Sequence, residues 1–254
     1  MDKEKELREE REDLIEGRNA VMEAIRAGRT IDKLFVAKGN TDRTMDRLLE
    51  KAREAKIVIT ECDRRKLDAM SVTGAHQGVI AQVAMREYAE IDDILERATE
   101  RGEDAFVIVC DEIADPHNLG AIIRTAECAG AHGVIIPKRR SAGMTAIVDK
   151  SSAGAAEHML ISRVTNIPAA LRELKERGVW VYGTAANAPS NLWDTNMTGP
   201  VALVIGSEGF GMGRLVEESC DVTVSIPLHG QVTSLNASAA AAVMIYEVLR
   251  QRRS

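Results

Sequence analysis

Along the second half of the chain, apolar residues recur in short runs separated by turn residues. Five runs, 106–110, 133–136, 179–184, 201–205 and 222–226, have the length and composition of buried strands. Segments 119–129, 168–177 and 237–250 carry apolar residues at helical spacing instead. This alternation predicts an α/β domain over 105–254, with a largely parallel sheet covered by helices on both faces. Ligands of such a sheet bind beyond the carboxyl ends of its strands. Residues 14–85 repeat the theme on a smaller scale. Asn19 is placed to cap a helix that Gly28 closes, and Thr41 to cap one with a stripe of Met45, Leu48, Leu49 and Ala52. Segments 34–38, 57–61 and 79–84 read as strands. Between the two patterns, 86–104 is strongly charged, with one short stripe of Ile91, Ile94 and Leu95, and reads as a linker. Residues 1–13 are charged throughout and read as a tail.

Charge and cysteine content narrow the function class only a little. The net charge is −6, and residues 1–13 hold four basic and seven acidic side chains, so the tail carries half of it. Basic clusters remain at Arg64-Arg65-Lys66, Lys138-Arg139-Arg140 and Arg250-Gln251-Arg252-Arg253. Each has the plain reading of a solvated surface patch, so nucleic-acid binding has to be argued from a site. The four cysteines are widely spaced and form no CxxC pair, which suits reduced thiols in a cytoplasmic protein and gives no metal site. No apolar run reaches the roughly 18 residues of a membrane span, and the charged N-terminus is not a secretory signal.

The polar chemistry clusters in three stretches just after strands. The first runs Asp115-Pro116-His117-Asn118-Leu119-Gly120 into AIIRTAECAG. Asn118 sits where a helix cap belongs, and Arg124 is a lone cation on an apolar helix, where snorkelling or a salt bridge is the ordinary explanation. The second is Gly206-Ser207-Glu208-Gly209-Phe210-Gly211. Its glycine spacing is GxxGxG, and Glu208 would face a pyrophosphate, so a dinucleotide loop fits poorly. The third runs from Ile226-Pro227-Leu228 through Ser234-Leu235-Asn236 into a helix with Ala239 through Ala242 in a row. More polar groups gather there than one cap requires.

Taken in order, NLGAIIRTA, VIGSEGFG and IPLHGQVTSLNAS resemble the three motifs of the SpoU family of RNA ribose methyltransferases within the SPOUT superfamily. PKRRSAGMTAIVDKSSAGAAEH is similar to the region between the first two motifs. EGRNAVMEAI and HQGVIAQV resemble that family's small substrate-binding domain, which is like an RNA-binding ribosomal protein. The resemblance covers residues 14 to 250 and is greatest to the branch that methylates a guanosine ribose in 23S ribosomal RNA. Ala237 stands where relatives commonly carry valine.

The resemblance implies a SPOUT fold with a deep C-terminal trefoil knot and an N-terminal α/β RNA-binding domain. It implies S-adenosylmethionine as cofactor, held near Gly206, Ile226, Leu228 and Leu235 with Thr184 and Ala185 at a neighbouring strand end, and no metal. Asn118, Arg124, Glu208, Ser234 and Asn236 match the family's catalytic pocket. Family proposals make the arginine a base. A guanidinium stays protonated, so Arg124 suits phosphate binding and alkoxide stabilisation better, with Glu208 positioning it or other pocket groups. The resemblance also implies a homodimer, ribosomal RNA as partner, and transfer RNA as the alternative substrate. A non-catalytic RNA-binding protein of the same fold is the alternative of another class, though none of the five pocket residues is missing.

Overall fold

The computed structural model describes residues 13–39, 42–84 and 86–253. Contacts within the chain divide it into two units, 1–87 with 143–158, and 88–142 with 159–254.

In the first unit the elements run β1 (Leu14–Glu16), α1 (Arg18–Arg26), β2 (Ile31–Ala37), α2 (Arg43–Glu54), β3 (Ile59–Cys62), α3 (Arg64–Met70) and β4 (Val79–Val83). The sheet order is β1-β4-β2-β3. β1 and β2 pair antiparallel with β4, and β2 pairs parallel with β3. Ile15, Leu34 and Val36 join the helix stripe Met45, Leu48 and Ala52 in one core. Gly17, not Asn19, precedes α1, and Gly28 closes it at φ 72°. Asp42 caps α2, accepting hydrogen bonds from Thr44 N (3.0 Å) and Met45 N (3.1 Å); Thr41, the expected cap, lies outside the described residues.

The segment 143–158 belongs to this unit by its contacts, although the sequence pattern groups it with the second. It contributes α6 (Ala146–Ser151) and a short 3-10 turn, Ala155–Glu157. Ala146 is fully buried beside Leu14, Phe35, Leu67 and Ile80. Beside α6, Arg29 and Arg86 enclose Asp149 and Glu157. Glu157 takes the shorter contacts, 2.6 Å to Arg29 and 2.8 Å to Arg86, and Asp149 the longer, 3.5 and 3.2 Å. All four side chains are nearly buried.

The second unit begins earlier than its sequence boundary. α4 (Ile91–Arg101) buries Ile91 and Ile94 in the core of this unit and so is part of the domain. A capping box of Glu90 and Asp93 starts it, and Gly102 ends it in the left-handed region. There follow β5 (Phe106–Cys110), α5 (Pro116–Cys128), β6 (Gly133–Pro137), β7 (Leu160–Val164), α7 (Ile167–Glu176) and β8 (Trp180–Thr184). β9 (Ser190–Asn191), β10 (Val201–Ile205), α8 (Arg214–Glu217), β11 (Val222–Ser225) and α9 (Ala237–Arg252) complete it. β7 and β9 are strands the apolar pattern does not disclose. The expectation of a parallel sheet holds: the order is β7-β6-β5-β10-β8-β11-β9 and every pairing is parallel. Val107, Val109, Ala202 and Val204 face α4 and α7. Ile108, Cys110, Leu203 and Ile205 are buried too, on the alternate face, where α5 and α9 pack on each other.

Chain order runs outward from β5 to β6 and β7 on one side, while β10 and β8 lie on the other. The strand order therefore reverses between β5 and β10, where Cys110 and Ile205 are in register at the carboxyl ends. In open α/β sheets that crevice is where ligands bind.

Candidate active site

The loops leaving this crevice carry the polar motifs. After β5, Asp115 caps α5 by accepting a hydrogen bond from His117 N (2.8 Å), with Pro116 in the first turn. The capping task expected of Asn118 is thus already done, and its side chain is free to point elsewhere. Its Nδ2 donates to Glu208 Oε1 (2.9 Å), and its Oδ1 accepts from Asn236 Nδ2 (3.0 Å). Asn236 Nδ2 also donates to Glu208 Oε1, and Ala237 N reaches the same oxygen at 3.2 Å. One carboxylate oxygen therefore gathers donors from the first and third motifs. Meanwhile Asn236 Oδ1 caps α9, accepting from Ser238 N (3.0 Å), Ala239 N (3.2 Å) and Ser238 Oγ (2.6 Å). Asn236 has one end in the helix start and the other in the pocket, so its orientation is fixed from both sides.

Glu208 is presented by a tight reversal of the chain. Ser207 and Gly211 exchange backbone hydrogen bonds, each 2.9 Å, and Gly211 has φ 68°. A Cβ on Gly206 would lie 2.3 Å from Gly211 C and Met212 N, so only glycine permits this closure. Gly209 has nothing within 4 Å of such a Cβ. Behind the loop, the buried carboxylate of Asp111 accepts from Gly213 N (2.7 Å). Burial raises its pKa, and the Gly213 N–H partly offsets the rise. Asp111 anchors the loop after β10 to the end of β5, a role hidden in sequence, where it is simply an acid after an apolar run.

Other candidates are arranged differently. Arg124 is exposed on α5, and among the described residues it pairs with no carboxylate. The charged Arg124–Glu208 pair considered from sequence is therefore absent from this structure, since Glu208 holds Asn118 and Asn236 instead. Ser234 is exposed in the loop before Asn236 and has no side-chain hydrogen bond among the described residues. The expected cofactor residues lie at the ends of adjacent strands. Thr184 ends β8 and donates from Oγ1 to Val204 O (3.1 Å), Ala185 N donates to Val224 O (3.0 Å), and Gly206 follows β10. Ile226 follows β11 and is half-buried; beyond it Leu228 and Leu235 are each 39% exposed. The described residues contain no cluster of His, Cys, Asp or Glu suited to a metal. Burial pushes the Cys110 thiol up to about 12, so it is inert.

Most of the chain has known counterparts. Residues 105–246 match the model of the SpoU rRNA Methylase family, and residues 14–89 match that of the RNA 2'-O ribose methyltransferase substrate binding domain. The chain belongs to the SpoU family. It is 50% identical, over 94% of its length and 96% of the relative's, to a Bacillus subtilis (strain 168) protein assigned to the TrmH family of tRNA/rRNA methyltransferases. Among solved structures it is similar to the SpoU methyltransferase AviRb from Streptomyces viridochromogenes in complex with AdoMet. That likeness has a TM-score of 0.83 and 28% identity, covering 95% of this chain and 90% of that one. It is also similar to an RNA 2'-O ribose methyltransferase, with a TM-score of 0.77 and 27% identity, covering 95% and 89%. In this SpoU-family chain the three motif loops converge on Glu208. No helix of the described residues is long and apolar enough to cross a membrane.

Proposed function

We propose that this protein transfers a methyl group from S-adenosylmethionine to a ribose 2′-hydroxyl of RNA, on a guanosine of 23S ribosomal RNA. The observation that carries the reading is the meeting of Asn118, Glu208 and Asn236, one from each motif loop, at the switch point of the sheet. The residues present suit the cofactor: half-exposed apolar side chains of Leu228 and Leu235 for an adenine, and backbone groups at Ala185 and Gly206 for its polar edge. Bound S-adenosylmethionine supplies an electrophilic methyl on a sulfonium, so the protein has only to align and activate the oxygen. Arg124, exposed and uncommitted to any carboxylate among the described residues, binds the target phosphate and stabilises charge developing on that oxygen. Ser234 and Asn118 hold the ribose, and Glu208 with Asn236 fixes Asn118. The C-terminal segment carrying these loops threads the knot of the SPOUT fold, which closes the loops around the cofactor. The protein works in the cytoplasm.

The active unit is a homodimer. On α9, Ala241 and Met244 are consumed by the core of the unit, but Ala239, Ala242, Val243 and Tyr246 form a stripe at i, i+3, i+4 and i+7 that is exposed or half-buried. Small residues on such a stripe let a second helix approach closely. Sedimentation at micromolar protein is expected to show a dimer; a monomer alone would contradict this.

Mapping ribose methylation in RNA from cells lacking the gene tests both activity and substrate. Loss at one ribosomal guanosine is expected. Loss in transfer RNA would move the substrate, and no loss in any RNA, with no S-adenosylmethionine binding, would leave a binding protein.

A further inference from the structure

The reversal that presents Glu208 carries a second side chain to the same place. Ser207 and Gly211 pair as an isolated antiparallel bridge, and Glu208, Gly209 and Phe210 form the tip between them. Phe210 is 94% exposed, against 73% for Val232, the next most exposed large apolar residue described. Scattered apolar exposure is ordinary on a protein surface, but this ring is set apart by where it stands and how it is held. The chain has only three Phe, three Tyr and two Trp, and the three motif loops contain none of them but Phe210. The loop beneath it is closed. The two backbone bonds of the bridge are joined by one from Ser207 Oγ to Gly211 O (3.2 Å), and Gly206 leaves no room for a Cβ. The ring is thus displayed from a fixed backbone. Beside it Gly209 contributes no side chain, and the space there is open.

Distance decides what the ring can meet. Phe210 follows Glu208 by two residues, so their Cα atoms are no more than roughly 7 Å apart. Glu208 is the common acceptor of Asn118 and Asn236. A ribose whose 2′-oxygen reaches that centre carries its base on the adjacent ring carbon. The base is therefore brought to the rim of the crevice, within reach of Phe210. A nucleotide drawn out of a stacked strand gives up contact with its neighbours, and the cost falls when a flat apolar face takes their place.

We propose that Phe210 stacks on the base of the nucleotide whose ribose is methylated, in place of the neighbours that base has left. A phenyl face accepts every base and holds a purine best. The ring thus captures an unstacked nucleotide and leaves hydrogen-bond reading of its edge to other groups. The proposal rests on the RNA-methyltransferase reading. It adds a residue of the methyl-transfer unit that holds the base, where Asn118, Ser234 and Arg124 hold sugar and phosphate.

The test uses full-length protein, tritiated S-adenosylmethionine and total RNA from cells lacking the gene. Phe210→Leu keeps apolar bulk without a stacking face and should lower kcat/KM for RNA at least about tenfold, the scale of losing one base–aromatic stack. Phe210→Ala should lose at least as much, whereas Phe210→Tyr and Phe210→Trp should recover most of the loss. Calorimetric S-adenosylmethionine affinity, thermal unfolding and sedimentation should be the same for all four, because an outward ring serves none of them. Leu215→Ala removes another exposed apolar side chain, on α8, and should leave methylation unchanged. Phe210→Trp adds a direct signature. RNA should quench its emission more strongly than that of the unaltered protein, whose Trp180 and Trp193 lie outside the motif loops. Full activity in Phe210→Leu, equal loss in all four variants, or no added quenching would overturn the stack. Three other results would overturn it as well: weaker cofactor binding would put the ring against the adenine, a dissociating dimer against a second copy of the chain, and a lowered unfolding temperature inside the fold. If the unaltered protein methylates RNA and the variants go against Phe210, the stack alone is wrong. If it transfers no methyl group to total RNA, the methyltransferase reading falls and the stack with it.

Discussion

Three donors converge on a single oxygen of Glu208, two from side-chain amides and one from the backbone at the start of α9. Geometry of this kind asks for an acceptor in a fixed place more than for a negative charge. Glu208→Gln can offer the same oxygen and loses only the charge assistance, so turnover should stay within about tenfold of the unaltered protein. Glu208→Ala removes the acceptor that Asn118 and Asn236 share, leaving the two amides to hold only each other and the helix start, and should cost about 10²-fold or more. An equal, severe loss for both variants would instead assign chemistry to the charge. Arg124 is expected to behave oppositely, because the phosphate-binding role proposed for it depends on charge and fork shape. Arg124→Ala is expected to lower single-turnover methylation by at least about 10²-fold with S-adenosylmethionine affinity nearly unchanged, and Arg124→Lys to restore part of the rate. A near-normal rate for Arg124→Ala would remove it from the reaction.

At the scale of elements, the reversal after β10 separates glycines that matter from one that does not. Gly206→Ala forces a Cβ to within 2.3 Å of backbone atoms that cannot swing aside, so the loop must open and carry Glu208 away. Thermal unfolding and cofactor titration should both deteriorate. Gly209→Ala meets open space and should alter neither measurably. The sequence motif marks all three glycines alike, because spacing records that a ligand or backbone comes close but not which residue it meets. The strands of the second unit were legible, since 106–110 and 201–205 are unbroken apolar runs buried on both faces. β7, with Ser162 and Arg163 in its middle, and β9, with two polar residues, give no such signal. The stripe on 91–95 was visible, yet the charge around it concealed that the helix is core. In the pocket the residue types were legible and the pairings were not: Asp115 takes the cap, which frees Asn118, and Glu208 turns to amides rather than to Arg124.

For the molecule as a whole, the buried carboxylate pair beside α6 couples stability to pH. Burial raises the Asp149 pKa to about 6, with Arg86 and Arg29 opposing the rise and Glu157 adding to it. The shorter contacts of both guanidiniums go to Glu157, which is why burial prevails at Asp149. An unfolded Asp149 titrates near its ordinary value of 3.8. Between about pH 4 and 6 the folded state keeps a proton that the unfolded state has released, so this group's contribution falls as pH rises through that window. The difference in unfolding free energy between the unaltered protein and Asp149→Asn should therefore shrink by about 2 kcal/mol from pH 4 to pH 7. A difference that stays constant, or grows with pH, would show Asp149 ionised and stabilised by its arginines. No sequence pattern announces this cluster, because its members are distributed over 128 positions of chain and their polar character suits a surface equally well.

The return of 143–158 to the first unit also sets a timetable. A ribosome delivers the chain from its N-terminus, and Ala146, Asp149 and Glu157 emerge only after the whole of β5, α5 and β6. Until then Arg29 and Arg86 have neither carboxylate, and the apolar surface that receives Ala146 stays open. The first unit, though first in sequence, must wait for part of the second to be synthesised before it is finished, and a protein cut at residue 87 would leave it permanently incomplete.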